Sequence, residues 1–318
     1  MLPRGKQHNR RTGEMSNQLG FAVNVDILNP GQFFACCGLL ELAHRLWPGI
    51  EGHFEARGSQ ASFIVQAPTS DGLKCLLDHL CRCDISGLTE EEQQERRQLE
   101  ERKRQNRLSD TEEERRKELG RQAREGKLYL KDPFHLTLDW WQTESEDVSP
   151  KTWAGRQEIH KIARAAQEAL CEALCNNLNL SNLLDYGCVL RTPSEYAQET
   201  RGTAKPVEPF CFDARRYVHA LKVGFSLDLQ DAEIVAYPAV ELLALIGLQR
   251  FRPVPSSERW SLEYTAWFQP LSAVVAAAVV SGAIPLAQSK KYRFRLLFRD
   301  DQKRYKAFGR ASKIYSIQ

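Results

Sequence analysis

Two long apolar segments, each opened by a proline, constrain the fold of this chain more than any other feature. Residues 24–49 read NVDILNPGQFFACCGLLELAHRLWPG, and residues 237–253 read YPAVELLALIGLQRFRP. In the first, Asn29 suits a helix N-cap, and Pro30 suits the first helical position because its missing N–H would be unpaired there anyway. Apolar residues then recur at helical spacing as far as Leu46. Both segments therefore predict buried helices of one sizeable core.

The pattern around these helices predicts an α+β fold. Periodicity indicates strands over residues 21–27, 134–141 and 217–229, and a strand pair over 51–67. It indicates helices over residues 71–83 and 150–177. We expect mixed helices packed on antiparallel strands, with a charged helical hairpin insertion and a C-terminal β-hairpin. The predicted organisation is a flexible basic N-terminal arm (1–20), an α+β unit (21–88), the charged hairpin (89–127) and a C-terminal α+β region (128–318).

Residues 89–127 differ sharply from the rest of the chain, because they carry 12 acidic and 12 basic side chains and almost no apolar ones. Thr89 with Glu92, and Ser109 with Glu112, have the spacing of the capping box that satisfies free N–H groups at a helix start. The segment is therefore predicted to form two solvated helices supported by charge pairs. A purely structural insertion and an arm that reaches a neighbouring subunit both fit this pattern.

The C-terminal segment 289–313 combines ten basic side chains with two acidic ones. Aromatic and apolar residues alternate with arginines, which predicts a β-hairpin with one apolar and one cationic face, turning near Asp300 and Asp301. A cationic face suits a nucleic-acid backbone, since phosphate contacts supply most sequence-independent affinity. A solvated sheet edge rich in arginine is the alternative. The candidate contacts are Arg293, Arg295, Lys303, Arg304 and Lys306.

A second candidate site lies at the start of the helix predicted over residues 150–177. Lys151, Trp153 and Arg156 would surround a helix N-terminus, whose free N–H groups favour a phosphate. Trp153 has a plain alternative as a core aromatic that closes the helix start. A turn-rich loop over residues 191–209 adds three candidate cations, Arg191, Arg201 and Lys205.

Composition limits the other classes of function. A net charge of +3 is nearly neutral for 318 residues, so a nucleic-acid surface must be local. No apolar run near the N-terminus resembles a signal peptide, which, with nine cysteines, predicts a cytoplasmic protein with free thiols. Residues 271–287 are the one candidate membrane segment, but their alanine content and Pro285 favour a buried helix.

No catalytic spacing emerges, so we expect no enzymatic activity and no cofactor. GRQAREGKL, residues 120–128, has the wrong glycine spacing for a phosphate loop, and the chain contains neither Gly-x-Ser-x-Gly nor His-Glu-x-x-His. His79, Cys81 and Cys83 alternate instead of following the Cys-x2-Cys spacing of structural zinc, so no metal is expected. Another pair, Cys171 and Cys175, reads as buried packing groups one helical turn apart.

Four motifs, in this order, carry a resemblance to a known family: NPGQFFACCGLLELA, KTWAGRQ, PFCFDAR and YPAVELLALIGLQRFRP. Together they resemble a CRISPR-associated family of the type I-G (formerly I-U) systems, the large-subunit-type protein of a Cascade-like surveillance complex. The resemblance runs from about Val25 to Phe308. It implies a non-enzymatic subunit of a crRNA-guided complex that binds target double-stranded DNA, recognises the protospacer-adjacent motif and helps to recruit a helicase-nuclease in trans.

The partners implied by this resemblance are crRNA, target double-stranded DNA, the backbone and crRNA-processing subunits of the complex, and the helicase-nuclease, with no membrane. We expect the cations near Lys151 and in the loop to approach target DNA near its motif. The cations of the C-terminal hairpin would then contact crRNA or the target strand. A structural bridging subunit without direct DNA contact is the competing interpretation.

Overall fold

The computed structural model describes residues 19–57, 60–142, 149–155, 157–196, 204–215, 234–299 and 302–315. Its helices are α1 (Pro30–Leu46), α2 (Gly72–Arg82), α3 (Glu90–Arg104), α4 (Asp110–Glu125), α5 (Ile159–Cys175), α6 (Pro238–Arg250) and α7 (Ala273–Val280). Its strands are β1 (Gly20–Val25), β2 (Glu51–Arg57), β3 (Gln60–Gln66), β4 (Ile85–Ser86), β5 (Leu128–Leu130), β6 (Leu136–Leu138), β7 (Cys188–Val189), β8 (Val235–Ala236), β9 (Val254–Pro255), β10 (Ser261–Trp267), β11 (Leu271–Ser272), β12 (Ser289–Phe298), β13 (Lys306–Phe308) and β14 (Ser312–Lys313). The fold is α+β with antiparallel sheets, as the sequence predicts.

Helices α1 and α6 lie at the centre of the fold and are buried over nearly their whole length. Asn29 caps α1 by accepting a hydrogen bond from the Gly31 N–H at 3.1 Å, which confirms the predicted helix start. The two helices approach most closely at Gly38 and Gly247. A Cβ atom added to Gly38 would lie 2.0 Å from the carbonyl oxygen of Leu243, so only glycine permits this contact.

Antiparallel sheets pack on α1 through aromatic rings. One sheet has the strand order β1-β3-β2-β11, and its β2 and β3 are the strand pair predicted over residues 51–67. The other has the order β13-β12-β10-β9, with β14 also paired to β12. The Phe33 ring of α1 has its centroid 5.1 Å from that of Phe54 in β2 and 4.2 Å from that of Tyr264 in β10. The same core therefore joins the N-terminal and C-terminal parts of the chain.

Helices α3 and α4 form the predicted charged hairpin, and both capping boxes are present. Ion pairs cross from one helix to the other: Glu95 meets Arg115 at 2.8 Å, and Glu100 meets Arg116 at 2.8 Å. These pairs are exposed to solvent, so each stabilises the hairpin only modestly.

The base of the charged hairpin is fixed to the body of the protein. The indole Nε1 of Trp141 and the amide Nε2 of Gln142 donate hydrogen bonds to the carbonyl oxygen of Glu125, at 3.0 and 2.9 Å. On α3, Arg96 forms an ion pair with Glu158, the residue that precedes α5. Burial would raise the pKa of Glu158, but Arg96 and the neighbouring cations outweigh this effect and lower it to about 2.

Two predicted elements differ from the structure. The helix predicted over residues 150–177 is α5, which begins only at Ile159. The strand predicted over 134–141 shortens to β6, followed by a 3-10 turn at Trp140–Gln142. The strand predicted over 217–229, residues 1–18 of the predicted arm (1–20) and the turn at Asp300 and Asp301 lie outside the described residues, and Gly20, the last residue of that arm, already belongs to β1.

The C-terminal hairpin is present as β12 paired with β13, and the apolar segment 271–287 contains α7. Within the described part of the chain, no helix combines the length and the apolar character that a membrane span requires.

The prediction of free thiols is wrong for one pair. Cys81 of α2 and Cys171 of α5 are joined by a disulfide that links positions 90 residues apart. Cys175 is exposed, so its predicted role as a buried packing group is also wrong. The adjacent cysteines of α1, Cys36 and Cys37, are free and completely buried, as expected for small core residues.

Candidate nucleic-acid interface

A cleft of about 740 Å³ lies between the base of the charged hairpin and the C-terminal strands. We call it the basic cleft, because its described lining contains five cationic side chains and one carboxylate. These residues are Arg121, Lys151, Lys303, Arg304, Lys306 and Glu125. Three tryptophans, Trp141, Trp153 and Trp260, line the same cleft. The structure thus brings together candidates that the sequence analysis placed in two separate segments.

Lys151 and Trp153 reach the cleft on an extended segment, not at a helix N-terminus as predicted. The carbonyl oxygen of Thr152 accepts a hydrogen bond from the Lys306 N–H at 2.9 Å, so this segment lies along the start of β13. Gly155 then adopts a φ of +62°, in the left-handed region that glycine enters readily. These two features divert the chain from helical geometry before α5 begins.

Trp153 is a core residue, as its alternative interpretation proposed. Its side chain is 2% exposed, and its ring contacts those of Trp140, Trp141 and Phe210 at centroid distances of 5.6, 5.5 and 5.1 Å. Its indole Nε1–H is buried and has no hydrogen-bond partner among the described residues. Trp153 therefore both supports the cleft wall and leaves one donor unsatisfied there.

Lys151 stands above this tryptophan. Its ammonium lies 5.6 Å from the centroid of the Trp153 ring and 3.9 Å from the carboxylate of Glu125. The latter distance is at the outer limit of an ion pair, and the Glu125 side chain is largely exposed, so the attraction is weak. The charge of Lys151 remains available to an anion in the cleft.

The C-terminal cations line the part of the cleft beside this extended segment. Lys303 and Arg304 are exposed, and they lie near the rings of Phe298 and Tyr305, at 5.8 and 6.0 Å from the centroids. Lys306, by contrast, is only 6% exposed. Its ammonium lies 3.4 Å from the carbonyl oxygen of Ser149 and 5.5 Å from the Trp260 centroid. Lys306 therefore lies in the wall of the cleft and not on a solvated sheet edge, the alternative interpretation of the C-terminal segment.

Two other cations of the predicted cationic face lie apart from the cleft lining. Arg293 forms ion pairs with Glu263, at 2.9 Å, and with Glu258, because Glu263 lies directly opposite it on β10. Two carboxylates thus balance the charge of this candidate contact. Arg295 is exposed on β12 and forms no ion pair with any described residue.

The loop candidates are separated from the cleft lining as well. Arg191 is exposed and pairs through its backbone with Pro206, and Lys205 is exposed beside it. The carbonyl oxygen of Lys205 accepts a hydrogen bond from the Thr192 N–H at 2.8 Å, so this part of the loop is ordered by backbone pairing. Arg156 and Arg201 lie outside the described residues.

The sequence analysis missed Arg121, Gln122 and Trp260. Arg121 and Gln122 belong to the charged segment, where a single arginine or glutamine gives no local signal of its position. Trp260 lies in a loop just before β10 with a φ of +62°, and its ring is partly exposed. Only the tertiary arrangement of α4, the segment 149–155 and the C-terminal segment places these residues in one cleft.

Outside the cleft, His160 is a buried titratable residue with a structural role. Among the described residues, no group of three or more His, Cys, Asp or Glu side chains could hold a metal ion, and Cys81 is engaged in the disulfide. Burial lowers the pKa of His160 to about 4, which keeps the imidazole neutral at ordinary pH. The nitrogen Nδ1 of His160 lies 3.3 Å from the carbonyl oxygen of Ala123, so this histidine joins α5 to α4.

In comparisons with known proteins, no family model, no curated protein and no solved structure matches the chain.

Proposed function

We propose that this protein is a non-enzymatic, nucleic-acid-binding subunit of a crRNA-guided type I CRISPR surveillance complex in the cytoplasm. In this proposal the basic cleft binds the sugar-phosphate backbone of target DNA. The single observation that carries the proposal is the convergence of five cationic side chains and three tryptophans on one cleft of a chain whose net charge is only +3.

Simple electrostatics supports a nucleic-acid ligand. Lysine and arginine neutralise phosphates and release counterions, and indole rings offer flat apolar surfaces beside them. Two of the five cleft cations have a nearby carboxylate, because Arg121 forms an ion pair with Glu118 at 2.7 Å and Lys151 lies 3.9 Å from Glu125. The other three cations of the cleft come from the C-terminal segment and give it an excess of positive charge. A polyanion would therefore be attracted to the cleft and not to the surface as a whole.

The resemblance supplies the biological setting of the proposal. A type I-G large-subunit-type protein would share its binding free energy with crRNA and the backbone subunits, so it needs no large net charge. It would recognise the protospacer-adjacent motif, help to open target double-stranded DNA and help to recruit the helicase-nuclease. Guide pairing would read most of the target sequence, as in other RNA-guided effectors.

The test is a charge-removal titration. Lys151, Lys303 and Arg304 are replaced together by glutamine in the full chain, and binding to duplex and single-stranded DNA is followed by fluorescence anisotropy at several salt concentrations. We expect weaker binding, and a salt slope that is smaller by roughly 0.7–0.9 for each phosphate that the variant no longer neutralises. The matched control replaces Lys74, Lys290 and Arg310, which are exposed and lie outside the cleft lining, and should bind like the wild type. Unchanged affinity and salt slope in the cleft variant would overturn the proposal.

A second candidate function is that of a bridging subunit without direct DNA contact. The charged hairpin favours it, because its 12 acidic and 12 basic residues give an arm with no net charge to attract nucleic acid. Ultraviolet crosslinking of the complex recovered from native cells through a tag on this chain separates the two candidates. Crosslinked peptides from the basic cleft support DNA binding, and protein-only crosslinks at α3 and α4 support the bridging function.

A further inference from the structure

We infer that the basic cleft accepts an unstacked nucleobase from a single-stranded segment, and not the phosphate backbone alone. This inference rests on the proposed function and makes its ligand more specific. The evidence is the combination of unsatisfied hydrogen-bonding groups, aromatic walls and the arrangement of charge within the cleft.

Two unsatisfied polar atoms of residues that line the cleft match a ligand with both donors and acceptors. The Nε1–H of Trp153 is a buried donor, and the Oε1 of Gln122 is a buried acceptor, and neither has a partner among the described residues. A phosphate at physiological pH offers acceptors almost exclusively, so it could satisfy Trp153 but not Gln122. A nucleobase edge carries ring nitrogens and carbonyl oxygens beside N–H groups, and can satisfy both.

The rim of the cleft offers a ring face to a base. Trp141 and Trp153 are nearly buried, at 5% and 2% exposure, so they form the rigid inner wall through their mutual contact at 5.5 Å and do not present their ring faces. Trp260 is partly exposed at the rim. It is therefore the tryptophan of the cleft on which a base can stack, a contact that tolerates every base because each has a π face.

The cationic side chains of the cleft differ in how deeply they are buried. Lys306 is buried in the wall, whereas Lys303 and Arg304 are exposed beside it. Exposed cations at the rim can follow the phosphates of a strand while one of its bases enters the cleft. The volume of about 740 Å³ lies within the ~300–1,000 Å³ typical of small-ligand sites. A base paired within a duplex cannot enter, so the ligand must be single-stranded or locally opened.

The experiment compares two fluorescent strands of equal length and equal phosphate number. One is oligodeoxythymidylate, and the other has abasic sites at its central positions. We expect the full chain to bind the abasic strand about tenfold more weakly at the same salt concentration. Trp153→Phe removes the indole donor and keeps a ring, and Gln122→Leu removes the acceptor at similar size. In both variants the difference between the strands should shrink to about twofold, with the salt slope unchanged. Trp47→Phe, outside the cleft lining, serves as the control.

The outcomes separate this inference from the proposed function. Equal affinity for both strands with steep salt dependence would overturn the inference and leave backbone binding intact. A base preference that persists in Trp153→Phe and in Gln122→Leu would overturn the assignment to this cleft. Absence of salt-dependent binding to either strand would overturn the proposed function itself. Far-ultraviolet circular dichroism verifies that each variant is folded before it is titrated.

Discussion

At the scale of single residues, the burial of His160 makes the free energy of unfolding depend on pH. Its pKa is about 4 when folded and near 6.5 when unfolded, so the unfolded chain binds a proton at a higher pH than the folded protein does. The stability contributed by the neutral imidazole is therefore present above pH 6.5 and is lost as the pH falls toward 4. Between pH 7 and pH 5 we expect this histidine to lower the free energy of unfolding by about 2 kcal/mol.

The measurement is urea unfolding of the wild type and of His160→Gln at both pH values. The variant should lose less stability on acidification, by that same amount, whatever its stability at neutral pH. Identical pH dependence in the two proteins would show that His160 is not buried as described.

At the scale of secondary-structure elements, we expect a glycine-to-alanine substitution to change stability in opposite directions at two helical glycines. Gly38→Ala places a Cβ atom 2.0 Å from the Leu243 carbonyl oxygen and must push α1 and α6 apart, which we expect to cost roughly 1–3 kcal/mol or more. Gly120→Ala on α4 meets only the flexible end of Arg124, at 3.3 Å, and should raise stability by about 1 kcal/mol through better helix propensity. Thermal unfolding of both variants checks the two signs, and a stable Gly38→Ala protein would contradict the tight helix contact.

Element boundaries that depend on residues close together in the chain could be predicted from the sequence. Boundaries that depend on contacts between residues far apart in the chain could not. The ends of α3 and α4 follow from Thr89 with Glu92 and Ser109 with Glu112, which interact within one helical turn. The late start of α5 depends instead on the backbone contact between Thr152 and Lys306, which are far apart in the chain. For the same reason the sequence identified several cations of the candidate site but could not show that they share a cleft.

At the scale of the whole molecule, the disulfide between Cys81 and Cys171 connects helices from the two halves of the chain. Closing a loop of 90 residues restricts the unfolded state, and such bonds typically contribute about 2–4 kcal/mol. In the proposed cytoplasmic setting, reductants act on this bond. We therefore expect dithiothreitol to lower the free energy of unfolding of the wild type by that amount in urea titrations.

The double variant Cys81→Ser with Cys171→Ser should show no response to the reductant. Cys175→Ser, at an exposed free cysteine, should respond like the wild type. A wild-type protein insensitive to dithiothreitol would show that the two sulfurs carry no stabilising bond in solution.

The attachment of α4 at Glu125 also has a mechanical consequence. The helix has 16 residues and a length of about 24 Å, and its C-terminal end is clamped by Trp141 and Gln142. The helix is therefore anchored at its C-terminal end, close to Gln122 and the cleft wall. A force applied near Ser109, at the opposite end of the helix, would bend the helix most strongly at this anchored end. A neighbour that grips the hairpin would thus act on the cleft wall from a distance, without entering the cleft.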